Sequence, residues 1–216
     1  MNLAKNHQPA WDGLKLGLAG LTVSPWGAPF YARAATEEKM TIAKVEVDRF
    51  SITCSKPFES VVAALKSAVG QPDIVEFFKA MSAAKSFPDL ERVVQSAVGP
   101  TGLMLFTEFE LGAVLRRETG LETPKIIRFL VGNPLIMKEM VKHVPDAGSY
   151  APVTVLIDER PDGVHLSYDK MESHLLPYGN SDALAVAEIL MQKLQPCYAN
   201  ARAEIGQKFS ARLSLQ

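Results

Sequence analysis

Residues 124–169, PKIIRFLVGNPLIMKEMVKHVPDAGSYAPVTVLIDERPDGVHLSYD, hold the densest structural signals in the chain. Ile126, Ile127, Phe129, Leu130 and Val131 form an almost unbroken apolar run, which predicts a strand inside a sheet with both faces buried. Gly132-Asn133-Pro134 comes next. Asn133 is a strong helix N-cap residue, and Pro134 suits the first helical position, where its missing N–H costs nothing. The spacing predicts a helix over 134–144, stopped by Pro145, and then a loop through Pro152. Val153, Val155 and Ile157 alternate with Thr154, Leu156 and Asp158, and Val164, Leu166 and Tyr168 answer them across Arg160-Pro161-Asp162-Gly163. Two alternating runs joined by such turn chemistry predict a β-hairpin.

Upstream, a first strand is expected at about 43–55. Val45 and Val47 sit on one phase of its alternation, while Phe50, Ile52 and Cys54 sit on the other, so a bulge near Asp48-Arg49 is expected. Pro57 opens a helix whose stripe, Phe58, Val61, Val62, Leu65 and Val69, must face the sheet, and Gly70 stops it. Two more helical stretches follow, from Pro72 and from Pro88, and Gly99-Pro100 ends the second. Their Phe77-Phe78-Met81 cluster could line a ligand or partner groove, but core packing is the preferred reading. Leu103–Phe109 has strand composition, and a short helix, Ala113–Thr119, ends at Gly120. A last helix is expected from Ser181 to about Gln207, kinked or divided at Pro196.

The fold class expected is therefore α+β: an antiparallel sheet of about four to five strands with helices on one face. The element order is strand–helix–four strands–helix, plus a helical insertion near 71–98. One domain spans 35–205, with a tail over 206–216.

The first 34 residues read as an export signal. Lys5 and Lys15 precede the uncharged run LGLAGLTVSPWGAPFY (16–31), and Ala32-Arg33-Ala34 is a small-x-small tripeptide of the kind signal peptidase reads. Pro25 and Pro29 would break a spanning helix, and the run falls short of the roughly 20 residues such a helix needs. Periplasmic or secreted placement is the expectation. Cleavage after Ala34 removes three basic side chains and one acid, taking the net charge from -1 to -3. In an oxidising compartment Cys54 and Cys197 could bridge, but two buried free thiols are the simpler reading.

Lysine plus arginine nearly balance aspartate plus glutamate, 23 against 24, so nucleic-acid binding by counterion release has no footprint. No Cys-x-x-Cys, nucleophile elbow or dinucleotide fingerprint is present. Met137, Met140 and His143 suit copper by residue type. Their three-residue steps on a helix, however, leave Met137 and His143 about 120° apart, so core methionines and a half-exposed histidine are expected.

The phrases Phe129–Pro134 (FLVGNP), Ala151–Leu156 (APVTVL), Asp162-Gly163 and Ser167–Asp169 (SYD), in this order, are similar to the family known as domain of unknown function 302. Ser173-His174-Leu175 falls where that family often has a short leucine-and-histidine segment. The likeness covers about 90–200 and is weaker over 41–70. It implies a compact α/β domain like the TATA-binding-protein fold, and a homodimer. It supplies no activity and no catalytic residue, and a shared fold is no argument for DNA binding.

The expected function is a non-enzymatic small-ligand or metal binding or accessory protein, with Asn133, His143 and His174 as ligand-binding residues. The alternatives are a histidine–carboxylate enzyme, using His143 or His174 with Asp146, Asp169 or Glu172, and a structural homodimer that binds a protein partner.

Overall fold

A computed structural model describes Met40, Ile42, residues 44–122 and residues 124–202; the expected export signal and the 206–216 tail lie outside these. Everything below concerns the unit from Ala43 onward. Its elements run β1 (Arg49–Cys54), α1 (Phe58–Ala68), α2 (Ile74–Ala83), α3 (Phe87–Ala97), β2 (Met104–Glu110), α4 (Gly112–Thr119) and β3 (Ile126–Gly132). Then come α5 (Pro134–Val141), β4 (Val153–Arg160), β5 (Gly163–Asp169), α6 (Met171–Leu175) and α7 (Ser181–Arg202), with 3-10 turns at Pro145–Ser149 and Leu176–Tyr178.

The five strands form one antiparallel sheet in the order β1-β5-β4-β3-β2. Paired residues share a face, so the register sorts every side chain. Ile52, Leu166, Ile157 and Ile127 make one row, and Phe50, Tyr168, Val155 and Phe129 the next. Both rows pack into the main core with α1, α5, α6 and α7. The opposite face carries Thr53, His165, Asp158 and Ile126 in one row, and Ser51, Ser167, Leu156 and Arg128 in another. The expectation of helices on one face holds. β3 is an inner strand, as expected, but its full burial on both faces is corrected: Phe129 and Val131 are buried, whereas Ile126, Arg128 and Leu130 are half-buried on the face opposite that core.

Two local expectations change. The strand 43–55 has no bulge at Asp48-Arg49; it begins there, so Phe50, Ile52 and Cys54 alone need to face inward. Val45 and Val47 precede it, and Asp48 is tied to α6 instead, its N–H donating to Ser173 Oγ at 3.1 Å. The bulge in the sheet lies in β2, between Leu105 and Thr107. Pro196 does not divide α7, which is continuous to Arg202.

The helical segment at 71–98 is α2 and α3, capped by Asp73 and Ser86. Phe77, Val94, Ala97 and Met104 form a second, smaller core beneath it. Of the Phe77-Phe78-Met81 cluster only Phe77 is buried; Phe78 is 52% exposed. The segment is fastened at its ends. Gly70 and Gly99 both donate to Leu103 O at 2.8 Å, and Leu105 N donates back to Gly70 O at 2.8 Å. A chain excursion with both ends bonded to one strand closes a short loop, and β2 thereby gains a wall along its start.

Cys54 and Cys197 are free thiols, both buried. Burial raises the Cys54 thiol and pushes the Cys197 thiol up to about 11, so neither is a ready nucleophile at neutral pH.

Candidate functional site

The β3–α5 junction forms as the sequence predicts. Asn133 Oδ1 accepts from Leu135 N at 2.8 Å, capping α5, and Pro134 takes the first turn. The Asn133 amide donates to Gly102 O at 2.8 Å, which ties the junction to the start of β2. Gly132 packs closely here: a Cβ would stand 3.1 Å from Pro152 Cβ and 3.5 Å from the Phe106 ring, a tight fit to the cis-proline loop.

Beside this junction lies a cavity of about 180 Å³. Its walls are Phe78 and Met81 from α2, Phe106 at the β2 bulge, and Met137 and Met140 from α5. Gly132-Asn133-Pro134, Ala151-Pro152 and Leu190 of α7 complete it. The bulge takes Phe106 out of register, and its ring lies 6.4 Å from that of Phe78. Both polar side-chain groups of Asn133 are already bonded, so the cavity surface is apolar side chain almost throughout. Asn133 was read from sequence, and Phe78 and Met81 were weighed there as part of a groove before core packing was preferred; Phe106 was not read.

The structure does not bring Asn133, His143 and His174 to one place. His143 follows α5, half-buried, with Nδ1 3.9 Å from Asp182 Oδ2, an ion-pair distance and too long for a hydrogen bond. His174 lies on α6, its ring stacked on Tyr150 at 4.5 Å between centroids and 17° between planes. Neither histidine lines the cavity. Tyr150 Oη is 3.4 Å from Tyr178 Oη, and bonding to Tyr150 first, then to Asp146, holds the Tyr178 phenol well above its ordinary value.

The carboxylates considered for acid–base work are differently occupied. Asp169 is held by Arg49 at 2.6 and 3.0 Å, and that bonding keeps it below the usual carboxylate range. Glu172 is half-buried, with Oε2 lacking a hydrogen-bond partner, and burial raises its pKa. Below about 4.5, its ordinary value, the carboxyl is neutral in folded and unfolded chains alike and costs nothing. As pH rises through the raised folded value, the unfolded chain ionises first and the folded state loses stability. Glu172→Gln is therefore expected to be more stable than wild type at neutral pH, with the difference vanishing below about pH 4. Urea midpoints at the two pH values check this; an equal offset at both removes the ionisation argument.

On the far sheet face His165 is buried and bonds Asp162 at 2.9 Å, with Thr53 Oγ1 at 3.4 Å from Nε2 and 3.5 Å from Nδ1. Near-equal distances place the hydroxyl across the ring carbon between the nitrogens, off either lone pair, so this is no nucleophile–base pair. Among the described residues, no three His, Cys, Asp or Glu side chains converge as a metal cage, and no helix is long and apolar enough to cross a membrane.

A search of curated proteins finds no match. Among solved structures, the crystal structure of an uncharacterised conserved DUF302 protein from Bacillus stearothermophilus is similar. The likeness covers 71% of this chain and 97% of that one, at 11% identity and a TM-score of 0.49. The family described as Domain of unknown function DUF302 matches residues 78–201, from the middle of α2 into the end of α7. That match covers more than half of the 216 residues, and the chain belongs to the DUF302 family.

Proposed function

We propose that this protein is a non-enzymatic binding or accessory protein that holds one small apolar ligand between β2, α2, α5 and α7. The observation that carries the reading is the cavity of about 180 Å³, apolar on nearly every side, with Asn133 at its edge. A dry apolar cavity of roughly 150 Å³ accepts a benzene-sized guest, so a single ring or a short branched chain fits this one. Drug-sized ligands need about 300 Å³ or more and are too large. Thermal shift with a panel of single-ring aromatics and short branched alcohols tests it, since a ligand bound only by the folded state raises the melting temperature in proportion to log concentration. Met81→Trp, which fills the space from α2, is expected to abolish that rise while the protein stays folded. A rise that survives the substitution would place the ligand elsewhere.

Export belongs to the same proposal and rests on residues 1–34 as a sequence; N-terminal sequencing of the mature protein checks it. The homodimer is a second reading, supported by the far sheet face. There Phe109, Leu130 and Leu156 surround Arg128, whose guanidinium lies 4.7 Å over the Phe109 ring and whose buried Nε has no hydrogen-bond partner. Light scattering on the eluting protein separates one chain from two.

A further inference from the structure

We propose that the guest of the apolar cavity is an aromatic hydrocarbon ring, a benzene or alkylbenzene, in preference to a saturated chain or ring of the same size. This rests on the cavity reading above and narrows its ligand to one chemical class.

The selection lies in the wall. Its large side chains are Phe78, Met81, Phe106, Met137, Met140 and Leu190, so five of the six are aromatic or thioether and one is a branched aliphatic. Phe78 and Met81 stand three residues apart on α2, and Met137 and Met140 three apart on α5, so each pair shares one face of its helix. A flat guest between the two helices meets a ring and a thioether from α2 and two thioethers from α5, with Phe106 beside it. The rings are placed before any guest arrives. Those of Phe78 and Phe106 lie 6.4 Å apart, and buried Phe77 packs against both, at 5.5 Å and 64° to Phe78 and at 6.5 Å and 89° to Phe106.

Aromatic rings attract one another in offset or edge-to-face contact, and thioether sulfur packs favourably at about 5 Å from a ring, often at its edge. A saturated guest of equal size fills the same space and gains neither contact. A hydroxyl or charge on the ring would find no partner inside, because both polar groups of Asn133 are already bonded. The class is therefore a ring that carries only hydrocarbon substituents within the cavity.

Toluene and methylcyclohexane, alike in carbon count and outline, test the class through the ratio of their dissociation constants on the full-length protein. Comparing this ratio between variants cancels the difference in their water solubility. Met81→Leu and Met137→Leu keep the wall apolar and nearly conserve its volume. Each should lower the relative preference for toluene about threefold, and the double variant about tenfold. A second measurement needs no variant. With isotope label at the methionine methyls of the wild type, bound toluene should shift the Met81 and Met137 signals by its ring current, and methylcyclohexane should leave them nearly in place. If both guests bind and the ratio is the same in the double variant, the aromatic assignment is overturned while the cavity stands as a binding site. Toluene that binds without a ring-current shift has the same consequence. Binding of neither guest to the wild type overturns the cavity reading and this inference with it.

Discussion

Gly70→Ala is expected to cost about 3 kcal/mol or more, a large share of the roughly 5–15 kcal/mol that holds a domain folded. A Cβ on Gly70 would stand 1.9 Å from Ala97 O and 2.8 Å from Gly99 N and Val98 C, all backbone atoms. Gly99 is the reciprocal case, its Cβ falling 2.3 Å from Val69 C and 2.4 Å from Gly70 N. The exits of α1 and α3 therefore cross with nothing between them, and no flexible side chain is available to give way. To admit the methyl group the crossing must open, which breaks the bonds of Gly70 and Gly99 to Leu103 O and of Leu105 to Gly70 O. Each of these three is worth roughly 1 kcal/mol net when intact and 1–3 when a buried partner is left unpaired. Gly120→Ala is the control. It sits at φ +71 with nothing within 4 Å of a Cβ, so it should cost only the roughly 1–2 kcal/mol of a left-handed residue. Urea denaturation of both variants decides the matter: if Gly70→Ala costs no more than Gly120→Ala, the backbone crossing is not what fastens the helical segment. Because α2 supplies Phe78 and Met81, loss of the crossing should also remove any ligand response of the cavity.

The two glycines also mark where sequence reading stops. Gly70 and Gly99 were read as helix terminators, yet neither takes a left-handed conformation, and α1 and α3 end before them at extended Val69 and Val98. Their close contact with each other is non-local and leaves no trace in composition or period. The hairpin β4–β5, the Asn133 cap and the Gly120 terminus were legible because each is encoded within a few residues by turn or cap chemistry. α6 went unread because five residues, Met171–Leu175, span little more than one helical turn and show no period. The start of β1 was misplaced because Val45 and Val47 have strand composition without a partner to pair with. In the candidate site, Asn133 and the possible Phe78-Met81 groove were visible separately, and the cavity that joins them was not. A cavity is the space left where α2, the β2 bulge and α5 fail to meet, and no single segment encodes such a gap. Phe78 and Phe77 look alike in sequence, yet one is 52% exposed and the other 5%.

Asn133→Ala separates the structural role of this residue from a ligand-binding one. Its carbonyl oxygen caps Leu135 N and its amide bonds Gly102 O, so the substitution removes an N-cap worth about 1 kcal/mol and strips a partner from a backbone carbonyl at about 1–3 kcal/mol. A combined loss of roughly 2–4 kcal/mol is expected in denaturant titrations. Asn133→Asp retains the capping oxygen and loses only the amide donor, while setting a carboxylate against the Gly102 carbonyl. It should fall between alanine and wild type in stability if the cap dominates, and at or below alanine if oxygen–oxygen repulsion does. The ligand readout discriminates further. If the side chain only builds the junction, the fraction of Asn133→Ala that remains folded should bind an apolar guest with wild-type affinity, because neither polar atom is free to reach the cavity. A fall in affinity well beyond what the lost folded population explains would make Asn133 a direct ligand contact.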